Sequence, residues 1–332
     1  ESHTLAEQIL TEVYAGLART TNELEKVFST SLAVFQKQPI SVTETIKDMI
    51  DSGMLKEEVK ETKTLLKATS LGRIACLHHL QPQTILRLKT FLEAFPVFTE
   101  FDLLIATVSS RDCQPILCVD YEEIEKLSEE LSKQSSVLFQ NPSRVPEILK
   151  VDGKRLLSSL KGALVLWRWT VFGDMELVAE EDGCYPFEIY LMIESVDRLL
   201  LAACSVQKML DQKKNMTESE TDVEAIEASP SMIRIELLRQ MLLTGLEKEQ
   251  ASLTLINGLG TTMITRLLEF GINNLNDLKE ANSVHLGTVK GLSEKRAKRW
   301  IEDAREVQIK IPPDIAAYRL NSVASEISLS VD

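Results

Sequence analysis

Two glycines separated by a single residue give the clearest chemical signal in the sequence. Gly258 and Gly260 lie in the stretch LINGLGTTMITRLLEFGI, residues 255–272, between two helix-like segments. Glycine adopts backbone conformations that other residues avoid, and it has no side chain to block an approaching group. Exposed backbone amides at the start of a helix also favour an anion. We therefore predict a tight turn whose amides contact a phosphate group.

This arrangement is the helix-hairpin-helix pattern, in which two helices flank a glycine-containing hairpin. Apolar Ile256 and Leu259 are predicted to anchor the hairpin in the core. A hairpin of this kind holds the nucleic-acid backbone through its amides and does not read base sequence. The predicted DNA contacts at this first hairpin are Asn257, Gly258, Leu259, Gly260 and Thr261.

A second, weaker copy of the pattern follows about 33 residues later, in VKGLSEKRAKRW. Gly291 and Leu292 match the first copy, but Ser293 replaces its second glycine. Basic residues crowd the helix that follows, where a phosphate would meet them. In the alternative interpretation, both hairpins are structural and the charges form a solvated helix face. The predicted DNA contacts at this second hairpin are Lys290, Gly291, Ser293, Lys295, Arg296, Lys298 and Arg299.

The charge distribution restricts how the chain could meet nucleic acid. A net charge of −13 argues against a protein that coats nucleic acid indiscriminately. Residues 232–310 carry 12 lysines and arginines against 10 acidic residues, whereas the rest of the chain carries 25 against 40. Any contact should therefore be local, made by small basic patches and backbone amides.

Length and composition indicate a globular, multidomain protein. The 332 residues predict two or three domains, and 44% of them are hydrophobic. The sequence shows neither a secretion signal nor an apolar run of about 18 residues, so we expect an intracellular protein without membrane contact. The compartment would be the nucleus in a eukaryote and otherwise the cytoplasm or nucleoid. Five cysteines and four histidines lack metal-ligand spacing, which predicts free, mostly buried thiols and no metal site.

Helical periodicity dominates the chain and predicts a mainly α fold. Residues 3–72 read as three helices followed by two strand-like runs, MLKEEV and TLLKAT, which is the pattern of a winged helix. A helical bundle follows, with Trp167 and Trp169 in its core and an optional short strand at DLLIATV, residues 102–108. Residues 215–230 carry five acids and no base, which predicts a mobile linker.

Three longer segments resemble, in order, the regions that follow the motor domains of HelQ-type and Hjm-type DNA helicases. These are Ski2-like members of superfamily two, a group that includes the helicase region of polymerase theta. The resemblance covers about residues 1–310, and TSLGR, residues 69–73, is its most specific part. The three segments are AEQILTEVYAGLARTTNELEKVFSTSLAVFQ, TSLGRIACLHHLQPQTILRLK and FEIYLMIESVDRLLLAACSVQKML.

The resemblance implies a domain order and a set of partners. The domains are a winged helix at 1–72, a helical ratchet-like domain at 73–214, an acidic linker at 215–231, a helix-hairpin-helix domain at 232–310 and a tail at 311–332. These would pack against two RecA-like motor domains that use ATP and Mg to move 3′ to 5′ on single-stranded DNA. This chain has no GxxxxGK[ST] phosphate loop and no DExH box, so we expect no ATP hydrolysis by it alone. It would be either a fragment or a separate non-motor subunit.

The ratchet helix of the resembling helicases aligns with residues 187–210. Its inward face carries a basic residue and an aromatic residue that contact successive bases. Leu191 and Arg198 occupy these positions here, so the aromatic residue is missing. Tyr190 is predicted to substitute for it, and Arg198 is predicted to contact phosphate or to stack on a base.

Three functions remain open at this point. The leading hypothesis is the DNA-guiding C-terminal portion of an ATP-dependent DNA helicase, with single-stranded or forked DNA and repair proteins as partners. The alternative is a non-catalytic interaction scaffold or accessory subunit with degenerate helicase-like domains, which the net charge of −13 favours. A glycosylase of the helix-hairpin-helix type fits less well, because no Asp or Lys after the hairpin is marked out as catalytic.

Overall fold

The structure of the chain is a computed structural model, and within its described residues it consists of helices and a single two-stranded sheet. This confirms the mainly α fold class. The described ranges are 2–31, 41–60, 63–138, 144–218 and 229–310. The chain divides into a first unit with residues 1–95, 110–114 and 198–223, and a second unit with residues 96–109, 115–197 and 224–332. Because the units interleave along the sequence, the predicted domain boundaries stay predictions.

The first unit begins with helices followed by a hairpin, in the order that the sequence predicts. The Thr20 hydroxyl accepts a hydrogen bond from the Glu23 amide and begins the second helix, and Ser41 begins the third in the same way. The first helix packs against the third helix and the second strand. The elements are α1 (Ser2–Ala15), α2 (Thr21–Ser29), α3 (Val42–Asp51), β1 (Leu55–Lys60), β2 (Lys63–Ala68), α4 (Ser70–His78) and α5 (Pro82–Ala94).

The two strands form an antiparallel hairpin whose register runs from Leu55 opposite Ala68 to Lys60 opposite Lys63. Leu55 and Leu66 are buried, so the inner face of the hairpin joins the core formed by α1 and α3. Both strand-like runs in the sequence are therefore confirmed as strands. Assignment of this subdomain as a winged helix stays a prediction.

The TSLGR segment joins the hairpin to α4. The Thr69 hydroxyl accepts a hydrogen bond from the Gly72 amide at 3.2 Å and donates to the Gly53 carbonyl at 2.6 Å. A Cβ atom on Gly72 would lie 2.3 Å from the Met54 carbonyl oxygen, which is inside contact distance. Glycine therefore allows the first turn of α4 to lie directly against the chain that enters β1.

The second unit is helical throughout its described residues. Helix α11 (Pro186–Glu218) contains residues that belong to both units. The larger helices of the second unit are α6 (Glu100–Val108), α7 (Tyr121–Leu138), α8 (Arg144–Leu149), α9 (Gly153–Phe172), α10 (Met175–Asp182) and α12 (Pro230–Thr244).

The segment DLLIATV is part of helix α6, so the optional strand at residues 102–108 is wrong. Thr99 and Asp102 form a capping box that begins the helix. All residues of α6 are buried, and a helix that is covered on every side shows the same continuous apolar run as a buried strand. Its buried Glu100 pairs with Lys248 Nζ at 2.9 Å.

The two tryptophans of α9 pack against neighbouring helices, which confirms their predicted structural role. Trp169 Nε1 donates to the Leu242 carbonyl at 2.7 Å. The Trp167 ring meets Phe101 edge-on, with centroids 6.1 Å apart. A Cβ on Gly245 would lie 2.5 Å from the Trp169 ring, so the indole rests on bare backbone. Both tryptophans are half-buried, because they lie at the margin of the core.

All five cysteines are free, but the prediction that most of them are buried is wrong. Cys113 is buried and Cys118 is exposed, whereas Cys76, Cys184 and Cys204 are partly buried. Burial raises the pKa of the Cys76 thiol to about 11. Burial and the neighbouring Asp182 carboxylate raise the pKa of Cys184 to about 11. Both shifts favour the protonated thiol at neutral pH.

Both ends of the predicted acidic linker, residues 215–231, are helical in the structure. Helix α11 continues to Glu218, and α12 begins at Pro230 with Ser229 as its cap. The rest of the predicted linker, residues 219–228, and the predicted tail, residues 311–332, lie outside the described residues.

Replacement of Gly72 by alanine is expected to destabilise the first unit by about 2–3 kcal/mol, because the new methyl group overlaps the Met54 carbonyl. Urea unfolding followed by circular dichroism measures this loss. The control is Gly153→Ala at the first turn of α9, where nothing lies within 4 Å of the added atom. Equal stability of the two variants would show that the contact at Gly72 is not tight.

Candidate nucleic-acid interface

The predicted hairpins belong to a small helical domain with its own core inside the second unit. Ile256 and Leu259 of the first hairpin are buried in this core, as predicted, together with Leu292 of the second. Trp300 is the largest side chain of the core. The elements are α13 (Lys248–Ala251), a 3-10 turn (Ser252–Leu255), α14 (Thr261–Glu269), α15 (Leu275–Glu280), α16 (Ser283–Leu286) and α17 (Glu294–Lys310).

The two glycines of the first hairpin have different roles. Gly258 has φ +79°, in the left-handed region that favours glycine. Gly260 has φ −84°, which any residue adopts, so it does not use the conformational freedom of glycine. Gly260 is instead the N-cap of α14, where it provides no side-chain hydrogen bond. Nothing lies within 4 Å of the position that its Cβ would occupy, so the start of α14 is open.

The second hairpin repeats the turn but closes its helix start. Gly291 has φ +87° and corresponds to Gly258. Ser293 corresponds to Gly260, and its hydroxyl accepts a hydrogen bond from the Arg296 amide at 3.4 Å. The serine thus occupies part of the amide surface that Gly260 leaves open at α14. The two copies are alike in backbone and different in their capacity to take an external anion.

Two arginines connect the hairpins by reaching in opposite directions. Arg296 donates to the Gly258 carbonyl at 3.3 Å, and its guanidinium lies 4.9 Å from the centre of the Trp300 ring. Arg266 on α14 donates to the Lys290 carbonyl at 2.7 Å. Sequence reasoning missed Arg266, and it assigned Arg296 to phosphate only. Each arginine is distant in sequence from the hairpin that it contacts, so no sequence pattern indicated that its partner is a backbone carbonyl.

The remaining basic residues of the predicted site differ in whether they form an ion pair with an acidic side chain. Lys295 and Lys298 are exposed on α17, and within the described residues neither forms an ion pair. Arg299 lies 3.7 Å from the Asp303 carboxylate on the same helix, which weakens its availability to phosphate. The Lys290 side chain is exposed beside the second hairpin.

Exposed backbone and side chains lie on both sides of the first hairpin turn. Asn257, Gly260 and Thr261 are exposed, whereas Leu259 is buried and contributes to the site through its backbone alone. Hydrogen bonds inside the helix begin with the amides of Met263 and Ile264, which donate to the Gly260 carbonyl. The amides that precede them are positioned to donate to a phosphate oxygen.

The predicted contacts on the ratchet helix lie elsewhere. Tyr190 is half-exposed, and its ring stacks on Phe187 with centroids 6.4 Å apart. Its hydroxyl donates to Glu194 at 2.8 Å, and this hydrogen bond raises the pKa of Tyr190. Arg198 is exposed in the first unit and lies 3.5 Å from the Asp112 carbonyl. Leu191 is half-buried. Their role in DNA contact stays a prediction.

Comparison with known proteins first defines the class of the small domain. Residues 251–306 match the family described as a SAM-like helix-hairpin-helix tandem. The match begins in α13 and ends within α17, so it includes both hairpins and the two connecting arginines.

The wider chain is similar to archaeal proteins named ATP-dependent DNA helicase Hel308. It is 21% identical over 90% of its length to the protein from Thermoplasma volcanium, 22% over 90% to that from Caldivirga maquilingensis and 21% over 91% to that from Thermoplasma acidophilum. The chain spans 38–39% of the length of these relatives. The similarity supports a relationship to the C-terminal region of Ski2-like helicases and does not single out the HelQ branch.

Among the described residues, no helix has both the length and the apolar character needed to cross a membrane. The His, Cys, Asp and Glu residues in the same part of the chain form no group of three or more that could hold a metal ion.

The two glycines of the first hairpin should respond differently to substitution. Gly258→Ala is expected to destabilise the small domain by about 1 kcal/mol, because alanine disfavours φ +79°. Gly260→Ser should keep or slightly raise stability, since serine is a better N-cap. Urea unfolding by circular dichroism compares the two variants. A larger loss for Gly260→Ser than for Gly258→Ala would contradict the assigned roles.

Proposed function

We propose that this chain is the DNA-guiding C-terminal portion of an ATP-dependent DNA helicase that moves 3′ to 5′ on single-stranded DNA during repair or fork processing. Support comes from the similarity to the Hel308 helicases over nine-tenths of the chain and from the helix-hairpin-helix tandem. In this proposal RecA-like motor domains, with ATP and Mg, supply movement. The residues of this chain hold and direct the strand.

The open start of α14 is the observation that carries the DNA-binding part of the proposal. Gly260 offers neither a capping side chain nor a steric barrier, and the turn at Gly258 is also open to solvent. A phosphate oxygen bound there would accept hydrogen bonds from amides and benefit from the positive end of the helix. This contact would be independent of base identity, as a translocating enzyme requires.

The second hairpin would act mainly as a support for the first. Its own helix start is capped by Ser293, and Arg296 is engaged by the Gly258 carbonyl and Trp300. The Arg296 charge still lies next to the first hairpin and would attract a phosphate at short range. Lys295 and Lys298 extend this positive field along the exposed face of α17.

A scaffold role remains the second candidate because one region of the second unit suits protein contact better than DNA contact. Residues 169–197 contain eight acidic residues and no basic residue. Exposed aromatic side chains accompany them, with Tyr185 74% and Phe187 66% accessible. Acidic neighbours repel phosphate, so Tyr190 would stack on a DNA base only where the DNA backbone stays distant from these acidic residues. A basic partner protein would meet no such repulsion.

Gly260→Ser is expected to lower affinity for single-stranded DNA about fivefold, because the hydroxyl would occupy an amide that otherwise binds phosphate. Fluorescence anisotropy with labelled oligonucleotides of two unrelated sequences measures this change. Both sequences should lose affinity equally, and wild-type binding should be weak and should fall with added salt. Ser293→Gly is the reciprocal variant, and it should not reduce binding. An unchanged affinity in a folded Gly260→Ser protein would remove α14 as the phosphate site.

Lys295→Gln tests the positive field beside the first hairpin. It is expected to reduce DNA affinity and to flatten the salt dependence by about 0.7, the value for one phosphate contact on a single strand. Arg305→Gln is the matched control, since Arg305 is exposed on the same helix three turns from the helix start. Equal effects of the two variants would favour the solvated-face interpretation. Lys295 is preferred over Arg296, whose loss would also disturb the hairpin contact.

The purified chain is expected to show no DNA-stimulated ATP hydrolysis, because its sequence contains neither nucleotide-binding motif of the motor domains. A coupled-enzyme assay with and without single-stranded DNA measures turnover. Turnover above background in a homogeneous preparation would overturn the assignment of ATP use to other domains.

A further inference from the structure

A cleft of about 260 Å³ lies in the first unit, and none of its lining residues is among those assigned to DNA by sequence. Its walls come from α1 and the loop after it, from the β-hairpin and from α4. Three of its lining residues are basic and one is acidic, so the cleft is positive within an acidic protein. The residues that matter for its chemistry are Tyr14, Arg19, Glu58, Lys67 and Arg73.

The position of Arg19 is fixed by the backbone around it. The Arg19 amide donates to the Glu23 carboxylate at 2.8 Å, and the Arg19 carbonyl accepts from the Leu66 amide at 2.7 Å. Its guanidinium lies over Gly16, where a Cβ atom would be 2.6 Å from the Arg19 Nη2. Gly16 also has φ +76°, in the left-handed region that favours glycine.

Arg73 is positioned by the TSLGR segment, whose role the helix-hairpin-helix site leaves unexplained. Thr69 caps α4, and Gly72 allows the helix to lie against the Met54 carbonyl. Arg73, the next residue, is exposed at the wall of the cleft. Among the described residues, no carboxylate lies within ion-pair distance of the Arg73 or Arg19 guanidinium. Two guanidiniums without acidic partners that line one cleft are suited to an oxyanion.

The other lining groups add a second recognition element. Lys67 pairs with Glu58 at 3.5 Å across the hairpin, so its charge is partly used. Tyr14 is 43% exposed and offers an aromatic ring at the same cleft. A planar base can stack on such a ring, while a phosphate binds the arginines. The combination of ring and guanidiniums matches a nucleotide better than it matches an inorganic anion.

We propose that this cleft binds one nucleotide unit, with its phosphate on Arg19 and Arg73 and its base against Tyr14. The site lies wholly in the first unit and does not rest on the function proposed for the hairpins. The nucleotide could belong to a DNA strand or be a free nucleotide, because both present the same phosphate and ring.

Photo-crosslinking of the full chain to a 12-mer that contains 5-bromodeoxyuridine tests the proposal, with adducts mapped by mass spectrometry. We expect an adduct on Tyr14. Arg73→Gln should lower its yield about tenfold, since a charged hydrogen bond to phosphate is lost. Arg111→Gln is the matched control, because Arg111 is exposed in the same unit and does not line the cleft. Its adduct yield should equal that of the wild type.

Competition identifies the source of the nucleotide. Titration calorimetry with dTMP and with inorganic phosphate, on wild type and Arg73→Gln, shows whether a free nucleotide binds the cleft. Binding of dTMP that Arg73→Gln abolishes supports the site even if the oligonucleotide gives no Tyr14 adduct. The proposal is overturned if Tyr14 gives no adduct and dTMP does not bind, or if Arg73→Gln changes neither result. An acidic protein segment would then be the better occupant.

The same crosslinking experiment separates this proposal from the hairpin proposal. In Gly260→Ser, DNA affinity should fall while the Tyr14 adduct persists at excess DNA. Adducts confined to residues 251–306, together with no binding of dTMP, would leave the hairpin site intact and remove the cleft. A Tyr14 adduct together with an undiminished DNA affinity of Gly260→Ser would support the cleft and remove the hairpin site.

Discussion

The hydrogen bond from the Arg296 guanidinium to the Gly258 carbonyl holds the first hairpin in the conformation on which the candidate site depends. A turn with φ +79° has no regular secondary structure of its own to stabilise it. Arg296 supplies a partner for the turn carbonyl and is itself held over the Trp300 ring. Because Trp300 is buried in the domain core, Arg296 adds a link between the turn and that core to those made by Ile256 and Leu259.

A second hydrogen bond runs in the other direction, from Arg266 after the first hairpin to the Lys290 carbonyl of the second, so the two hairpins stabilise each other. It also explains the glycine of the second turn, since a Cβ on Gly291 would lie 2.9 Å from the Arg266 guanidinium. The hairpins then differ at one position of their helix caps. Gly260 leaves the start of α14 open, and Ser293 closes the start of α17 with its own hydroxyl. One copy can thus specialise for an external anion while the other maintains the geometry.

Sequence reasoning located the elements whose signals are local. The helix starts, the hairpin strands and the buried Ile256 and Leu259 follow from capping residues and apolar spacing. It failed where the outcome depends on tertiary surroundings. The run DLLIATV reads as a strand or a buried helix, and the coverage of α6 on all sides decides between them. The partner of Arg296 could not be predicted either. In the sequence, an exposed basic residue that binds phosphate looks the same as one that binds a carbonyl 38 positions earlier.

Charge distribution limits what kind of nucleic-acid contact this chain can make. A protein with a net charge of −13 repels a polyanion at long range, and salt reduces that repulsion as well as the local attraction. Backbone amides at an open helix start avoid this problem, since they attract a phosphate only at short distance and add no net charge. The acidic stretch at residues 169–197 can then lie in the same chain without abolishing the contact. Binding through amides at one end and repulsion elsewhere would keep a strand confined to one path and release it readily, which suits a component that guides DNA more than one that stores it.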